Sequence, residues 1–248
     1  MAKYRYSAGI IRKVLLLGMV ILFTQTLFSQ HEVRDATGTW LVVSGTNSIA
    51  EKWRIPTVGI IRAYNLAETT EFGFFRTGLT YAPNTKYNFT VGAAYLDTQP
   101  FGHDEFETLT TQVWTYQEFC YNTKLYSSKV SQRFRLEQRW ISKPTEDIFN
   151  LRLRYRLQCT KDLSKHLYLK VFDEPFLDFE QANINQNRFY LGLGRRITKS
   201  LNVEIGYMKN HVGPNNFDRI RMVILFKTNF YKKAKYDFTN TNSLQISQ

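Results

Sequence analysis

An all-β fold is predicted for this 248-residue chain by three features. Apolar and polar side chains alternate at period two over segments of roughly 10–14 residues, which puts one kind on each face of a strand. Polar breaks rich in Asn, Pro, Gly, Asp, Ser and Lys separate those segments. No convincing helix-period segment follows residue 30. The alternation is clearest between Val130 and Gln158, where Phe149, Leu151, Leu153, Tyr155 and Leu157 take every other position. Asn150, Arg152, Arg154, Arg156 and Gln158 stand between them. A helix would scatter those arginines around its circumference.

Taken in order, residues 1–29 read as a signal peptide. Lys3, Arg5, Arg12 and Lys13 precede an apolar run from Val14 to Phe23, and Ser29 offers a small residue before a cut. The run is short for a span, which needs about 20 residues; an uncleaved N-terminal anchor is the alternative. No Cys follows the run, which argues against a lipoprotein. Those four basic residues belong to a net charge of +12, leaving +8 on the remainder.

Residues 30–230 read as strand after strand, near 38–46, 51–64, 71–82, 86–97, 110–122, 128–141, 148–159, 165–175, 186–197, 200–210 and 218–230. Strands of water-soluble proteins usually run about 5–6 residues, whereas a tilted membrane strand needs about 9–11. Length, the export signal and the aromatics together predict an antiparallel up-and-down transmembrane β-barrel of about 12 strands (10–12) in a bacterial outer membrane. Eleven segments are countable; the even number usual for such barrels predicts one more, merged within 31–53. Breaks after the third, fifth, seventh and ninth strands are short and those after the second, fourth, eighth and tenth generally longer, the longest being Thr98 to Leu109. Trp53, Tyr81, Tyr87, Tyr95, Tyr121, Trp140, Phe149 and Tyr207 stand at strand ends on the apolar parity, as headgroup-level aromatics do. The last strand is followed by a polar tail over 231–248.

Composition sets further bounds. The arginines sit on strands, with no Lys/Arg-rich run, zinc spacing or RNA-binding signature, so no nucleic-acid partner is indicated. Cys120 has the polar parity and Cys159 the apolar one, which argues against a bridge. No G-x-S-x-G, H-E-x-x-H or P-loop is present, and no cofactor or metal is indicated. Of His31, His103, His166 and His211, only His103 has carboxylates beside it, in Asp104 and Glu105; a solvated loop explains them. A lipid hydrolase at the outer wall is the enzyme alternative.

With the apolar parity toward lipid, the opposite parity turns Arg62, Arg76, Glu118, Arg133, Arg135, Glu137, Arg139, Arg152, Arg154, Arg156, Glu174, Arg188 and Glu204 into the lumen. Arginine on the lipid side would cost about 2–4 kcal/mol at the midplane. Two functions follow. Surplus arginine favours a narrow, anion-preferring pore for small acidic solutes. An Arg–Glu lattice bracing a closed barrel with a binding or assembly role, through the loop at Pro100-Phe101-Gly102-His103, is the alternative. Outer-membrane lipid is the implied partner in either case, and the sequence leaves a protein partner open.

Three stretches carry a family resemblance: Arg133-Phe134-Arg135-Leu136-Glu137-Gln138-Arg139, Asn150-Leu151-Arg152-Leu153-Arg154-Tyr155, and Asn187-Arg188-Phe189-Tyr190-Leu191-Gly192-Leu193-Gly194 with Gly206-Tyr207. They resemble the exported bacterial family known as domain of unknown function 2490, common in Bacteroidota-type bacteria. The resemblance implies an outer-membrane-type barrel and assigns no activity and no catalytic residue.

Overall fold

Eleven strands make up nearly all of residues 37–64, 69–98 and 110–231, the residues described by a computed structural model of the chain. They are β1 (Gly38–Ser48), β2 (Trp53–Tyr64), β3 (Thr69–Tyr81), β4 (Tyr87–Thr98), β5 (Thr110–Leu125), β6 (Ser128–Ser142), β7 (Asp147–Asp162), β8 (Leu167–Asp178), β9 (Asn183–Arg196), β10 (Leu201–Val212) and β11 (Asn215–Asn229). The expected signal peptide, the loop holding His103 and the polar tail lie outside the described residues.

Each strand pairs antiparallel with its sequence neighbours, and β1 pairs in parallel with β11, closing the barrel. Eleven lies within the expected 10–12 strands, and the expectation of an all-antiparallel barrel is corrected by the parallel closing pair. Eleven strands occur among the described residues, and an odd number makes the first and last run the same way. The seam is complete, from Gly38 opposite Arg219 to Ser48 opposite Asn229. Period-two alternation carries no information about the direction of the closing pair. The ladders falter at proline, which has no N–H to give: pairing between β7 and β8 skips the stretch opposite Pro175, and pairing between β2 and β3 skips Ile55 and Pro56.

Apart from the break at 99–109, connections at both rims are short. At one rim lie Ile49–Lys52, Ala82–Lys86, Tyr126-Ser127, Leu163–His166 and Ile197–Ser200. At the other, residues 179–182 and Gly213-Pro214 are no longer than these, against expectation; the break at 99–109 remains the long one. The two-residue turn after β10 is possible because Gly213 takes a φ of 55°, where a Cβ would be strained.

The outer wall is apolar. Leu41, Val43, Ile61, Phe75, Val91, Leu191, Ile205, Met222 and Ile224 all point outward and are exposed. Aromatic pairs stand toward the rims, Trp53 with Tyr81 at 5.0 Å and Trp140 with Phe149 at 5.5 Å between centroids. The inner wall is not uniformly polar. Trp40, Val42, Val58, Phe72, Phe172, Tyr190, Met208 and Val223 form a buried apolar cluster within the barrel. In the sequence this sector shows at Trp40-Leu41-Val42-Val43, where alternation fails because both faces of β1 are apolar.

Glycines make room for interior rings. Gly78 stands opposite Gly92, and Gly192 opposite Gly206, each pair on adjacent strands. Tyr116 lies over the first pair, its hydroxyl donating to the Thr77 carbonyl at 3.1 Å. Tyr190 lies over the second. A Cβ at Gly206 would press on the Leu191 carbonyl oxygen and stand 2.5 Å from the Gly192 Cα. Gly206→Val is therefore expected to destabilise the barrel by about 1–3 kcal/mol through overpacking against backbone, read as a lowered urea midpoint. An unchanged midpoint would show that the inner wall can yield there.

Candidate functional site: the charged lattice of the barrel interior

Strands β5 to β8 put most of the interior charge on one sector of the wall. Cross-strand register sets Glu118 opposite Arg135, and Glu137 opposite Arg152. The same register sets Arg135 opposite Arg154, and Arg133 opposite Arg156. Like charges in directly opposed positions repel, so the lattice holds only through the carboxylates between them.

Glu137 accepts from Arg152 Nη2 at 2.6 Å and from Arg154 Nη1 at 2.8 Å, with Arg135 Nη1 3.8 Å away. Glu174 accepts from Arg154 Nη2 at 2.8 Å, from Arg156 Nη2 at 2.6 Å and from Arg133. Glu118 pairs with Arg135, whose Nε donates at 2.7 Å, and Arg133 Nε is 3.7 Å away. The side chains of Glu137 and Glu174 have 0% exposure. Each carboxylate thus serves two or more guanidiniums through charge-assisted bonds, which are stronger than neutral ones. Aromatic faces cover the rest: the Arg154 guanidinium lies 4.4 Å from the Phe176 ring centre, and that of Arg156 lies 4.3 Å from Phe172.

Smaller clusters continue around the wall. Glu71 pairs with Arg62, and Arg219 Nη2 is 3.4 Å from it. Glu204 pairs with Lys170, accepts from the Tyr168 hydroxyl at 2.7 Å and lies 4.0 Å from Arg221. Asp178 accepts from Asn150 at 3.0 Å, and Arg139 Nε donates to Asn150 at 3.0 Å. Arg188 donates to the Asn210 side-chain oxygen at 3.1 Å. Arg76 lies 5.4 Å from the Tyr116 ring centre and forms no ion pair among the described residues. Every residue assigned to the lumen by parity therefore stands on the inner wall, and most are joined in one lattice.

Parity did not bring Glu71 into this set. A register shift between Arg62 and Ala63 breaks the period, and Glu71 is buried beside the shift. Lys170, Asp178, Arg219 and Arg221 also face inward. Their signal was in the sequence, since Lys170 alternates with Leu169 and Val171, and Arg219 and Arg221 with Ile220 and Met222. Between the rims, among the described residues, twelve cations (Arg62, Arg76, Arg133, Arg135, Arg139, Arg152, Arg154, Arg156, Lys170, Arg188, Arg219 and Arg221) share the interior with six carboxylates, Glu71, Glu118, Glu137, Glu174, Asp178 and Glu204. The surplus is positive.

A cavity of about 280 Å³ remains inside, bordered by members of the apolar cluster and by Arg76, Arg154, Arg156 and Arg188.

The remaining candidates are scattered. His211 bonds the Asn216 side chain at a rim and His166 stands in an exposed turn, while His31 and His103 lie outside the described residues. Cys120 and Cys159 are unbridged; the Cys120 thiol donates to Glu118 at 3.6 Å and Cys159 is exposed. Among the described residues no cluster of three His, Cys, Asp or Glu could hold a metal.

A search of curated proteins finds no match to the chain. A family model, described as a protein of unknown function (DUF2490), matches residues 37–221. That match runs from the start of β1 into β11 and takes in the whole lattice, so the chain belongs to the DUF2490 family.

Proposed function

We propose that this protein is an outer-membrane β-barrel whose filled lumen serves a binding role and does not pass ions. The observation that carries the reading is the packing of the interior. Arg135, Tyr116, Tyr190, Phe176, Met208, Glu137 and Glu174 are all less than 2% exposed. A solute crossing the barrel would have to part buried guanidinium–carboxylate bonds, at several kcal/mol per buried ion. A narrow anion-preferring pore draws support from the positive surplus but has to overcome that packing.

Membrane residence is supported by the outer wall. Apolar side chains point outward from strands all around the barrel, and a patch of that extent is a liability in water. Strands of 11–16 residues exceed the roughly 9–11 needed to cross a bilayer at a tilt.

The test is conductance. Full-length protein reconstituted in planar bilayers is expected to give no steady channel current in either salt polarity. Stable, anion-selective steps that weaken in Arg154→Ala and Arg156→Ala would overturn the reading in favour of a pore.

A further inference from the structure

The interior cavity has a mixed lining. Val42, Val58, Ile60, Phe74 and Leu225 supply apolar surface. Guanidinium groups and Lys170 supply positive charge, with Arg76 directly opposite Val58 across the β2–β3 ladder, and Glu204 is the carboxylate among the lining residues.

The lattice does not use all of these cations equally. Arg133, Arg154 and Arg156 are held by Glu174. Arg76, Arg188 and Arg221 have no close carboxylate: no ion pair for Arg76 among the described residues, the side-chain amide oxygens of Asn210 and Gln186 for Arg188, and a carboxylate 4.0 Å off for Arg221. The Nε atoms of Arg76 and Arg156 and the indole N–H of Trp40 are buried without a protein acceptor. All three residues line the cavity. The site is thus rich in donors and positive charge and partly apolar, and Glu204 Oε2 is the one buried acceptor atom without a hydrogen-bond partner among the lining side chains. Buried cations without counter-charge are costly, so an anion that keeps clear of Glu204 gains from these groups. An apolar tail on the same molecule gains from the apolar part of the lining.

We propose that the cavity binds an amphipathic monoanion, a carboxylate head on a short alkyl chain. The head group lies among Arg76, Arg188 and Arg221, and the chain runs along Val42, Val58 and Ile60. Size limits the ligand. At the roughly 30 Å³ that a water-sized group takes in a liquid, about 280 Å³ holds about nine non-hydrogen atoms. That corresponds to an acid of about six to eight carbons and rules out a whole phospholipid. The proposal deepens the binding-barrel reading and rests on it.

The experiment is equilibrium dialysis of radiolabelled hexanoate against the full chain in lipid nanodiscs, with empty nanodiscs as background. Saturable binding of one hexanoate per chain is expected. Hexan-1-ol, which keeps the chain and lacks the charge, is expected to bind at least tenfold more weakly. Acetate and inorganic phosphate, which keep charge and lack the chain, are expected to do the same. The double variant Arg76→Gln/Arg188→Gln is expected to lose at least tenfold in hexanoate affinity with hexan-1-ol unchanged.

Absence of saturable hexanoate binding would overturn the proposal. Equal binding of hexan-1-ol would reduce the cavity to a greasy void, and equal binding of acetate or phosphate to a plain anion site; either result sinks it. So would a folded double variant that binds hexanoate as before. Should that variant not fold, the comparison of ligands on the unaltered chain still decides. Conductance on the same preparation separates the two readings: an ion-tight barrel without hexanoate binding fails this proposal alone, and a conducting one fails the reading beneath it.

Discussion

Glu174→Ala is expected to destabilise the barrel by about 3–5 kcal/mol, the cost of leaving buried charge without its partner. The side chain has no exposure and serves Arg133, Arg154 and Arg156 together. Its loss leaves three guanidiniums side by side without the carboxylate that bridges them. Glu174→Gln keeps the shape and one acceptor but not the charge, and is expected to fall on the same side. Asp162→Ala provides the contrast. Its partners Lys129 and Arg196 stand at an exposed rim, where such pairs contribute about 0–1 kcal/mol. Urea unfolding of barrels refolded into liposomes, followed by tryptophan fluorescence, checks both. If Glu174→Ala and Asp162→Ala shift the midpoint equally, the lattice is not what holds β6, β7 and β8 together. The double variant Glu137→Ala/Glu174→Ala adds a further check. Both carboxylates bind Arg154, so their effects are expected not to add.

Val91→Arg is expected to cost about 2–4 kcal/mol in a lipid bilayer, the depth-dependent cost of a guanidinium at the midplane. Val91 is 58% exposed on the outer wall, near the middle of β4. The control is Leu163→Arg, 55% exposed in a turn at one rim, where the cost is about 0–1 kcal/mol. Equal exposure makes the comparison one of depth alone. The two variants are compared by refolding yield and unfolding midpoint in liposomes. A barrel that works in water would show both near zero, and that outcome would remove the bilayer from every argument about this chain.

Much of the wall could be read before any coordinates. On β7 the alternation sorts Arg152, Arg154 and Arg156 to one side and Leu151, Leu153 and Tyr155 to the other. The first set is the one that reaches Glu137 and Glu174. Each strand falls within a few residues of its alternating segment, because period-two patterning is a local property. What escaped was non-local. Which carboxylate meets which guanidinium depends on the offset between strands, and nothing within one strand fixes it. Glu71 was missed because one irregular residue pair inverts the parity that follows it. The apolar sector inside was missed because β1 and its neighbours carry grease on both faces, and alternation is silent there. The cavity lies at the boundary between those two sectors, so no single strand announces it.

The parallel seam bears on how the barrel is assembled. Every other neighbour pair is joined through a short connection or the single longer break at 99–109, so hairpins can form as the chain emerges. The contact of β1 with β11 spans almost the whole barrel sequence and must wait for the final strand. Until then two unsatisfied edges remain, and long-range closure of this kind is slow. Exposed strand edges recruit other chains. The half-built cylinder is therefore the species most in need of an escort, and its vulnerable period ends only when the last ribbon clasps the first.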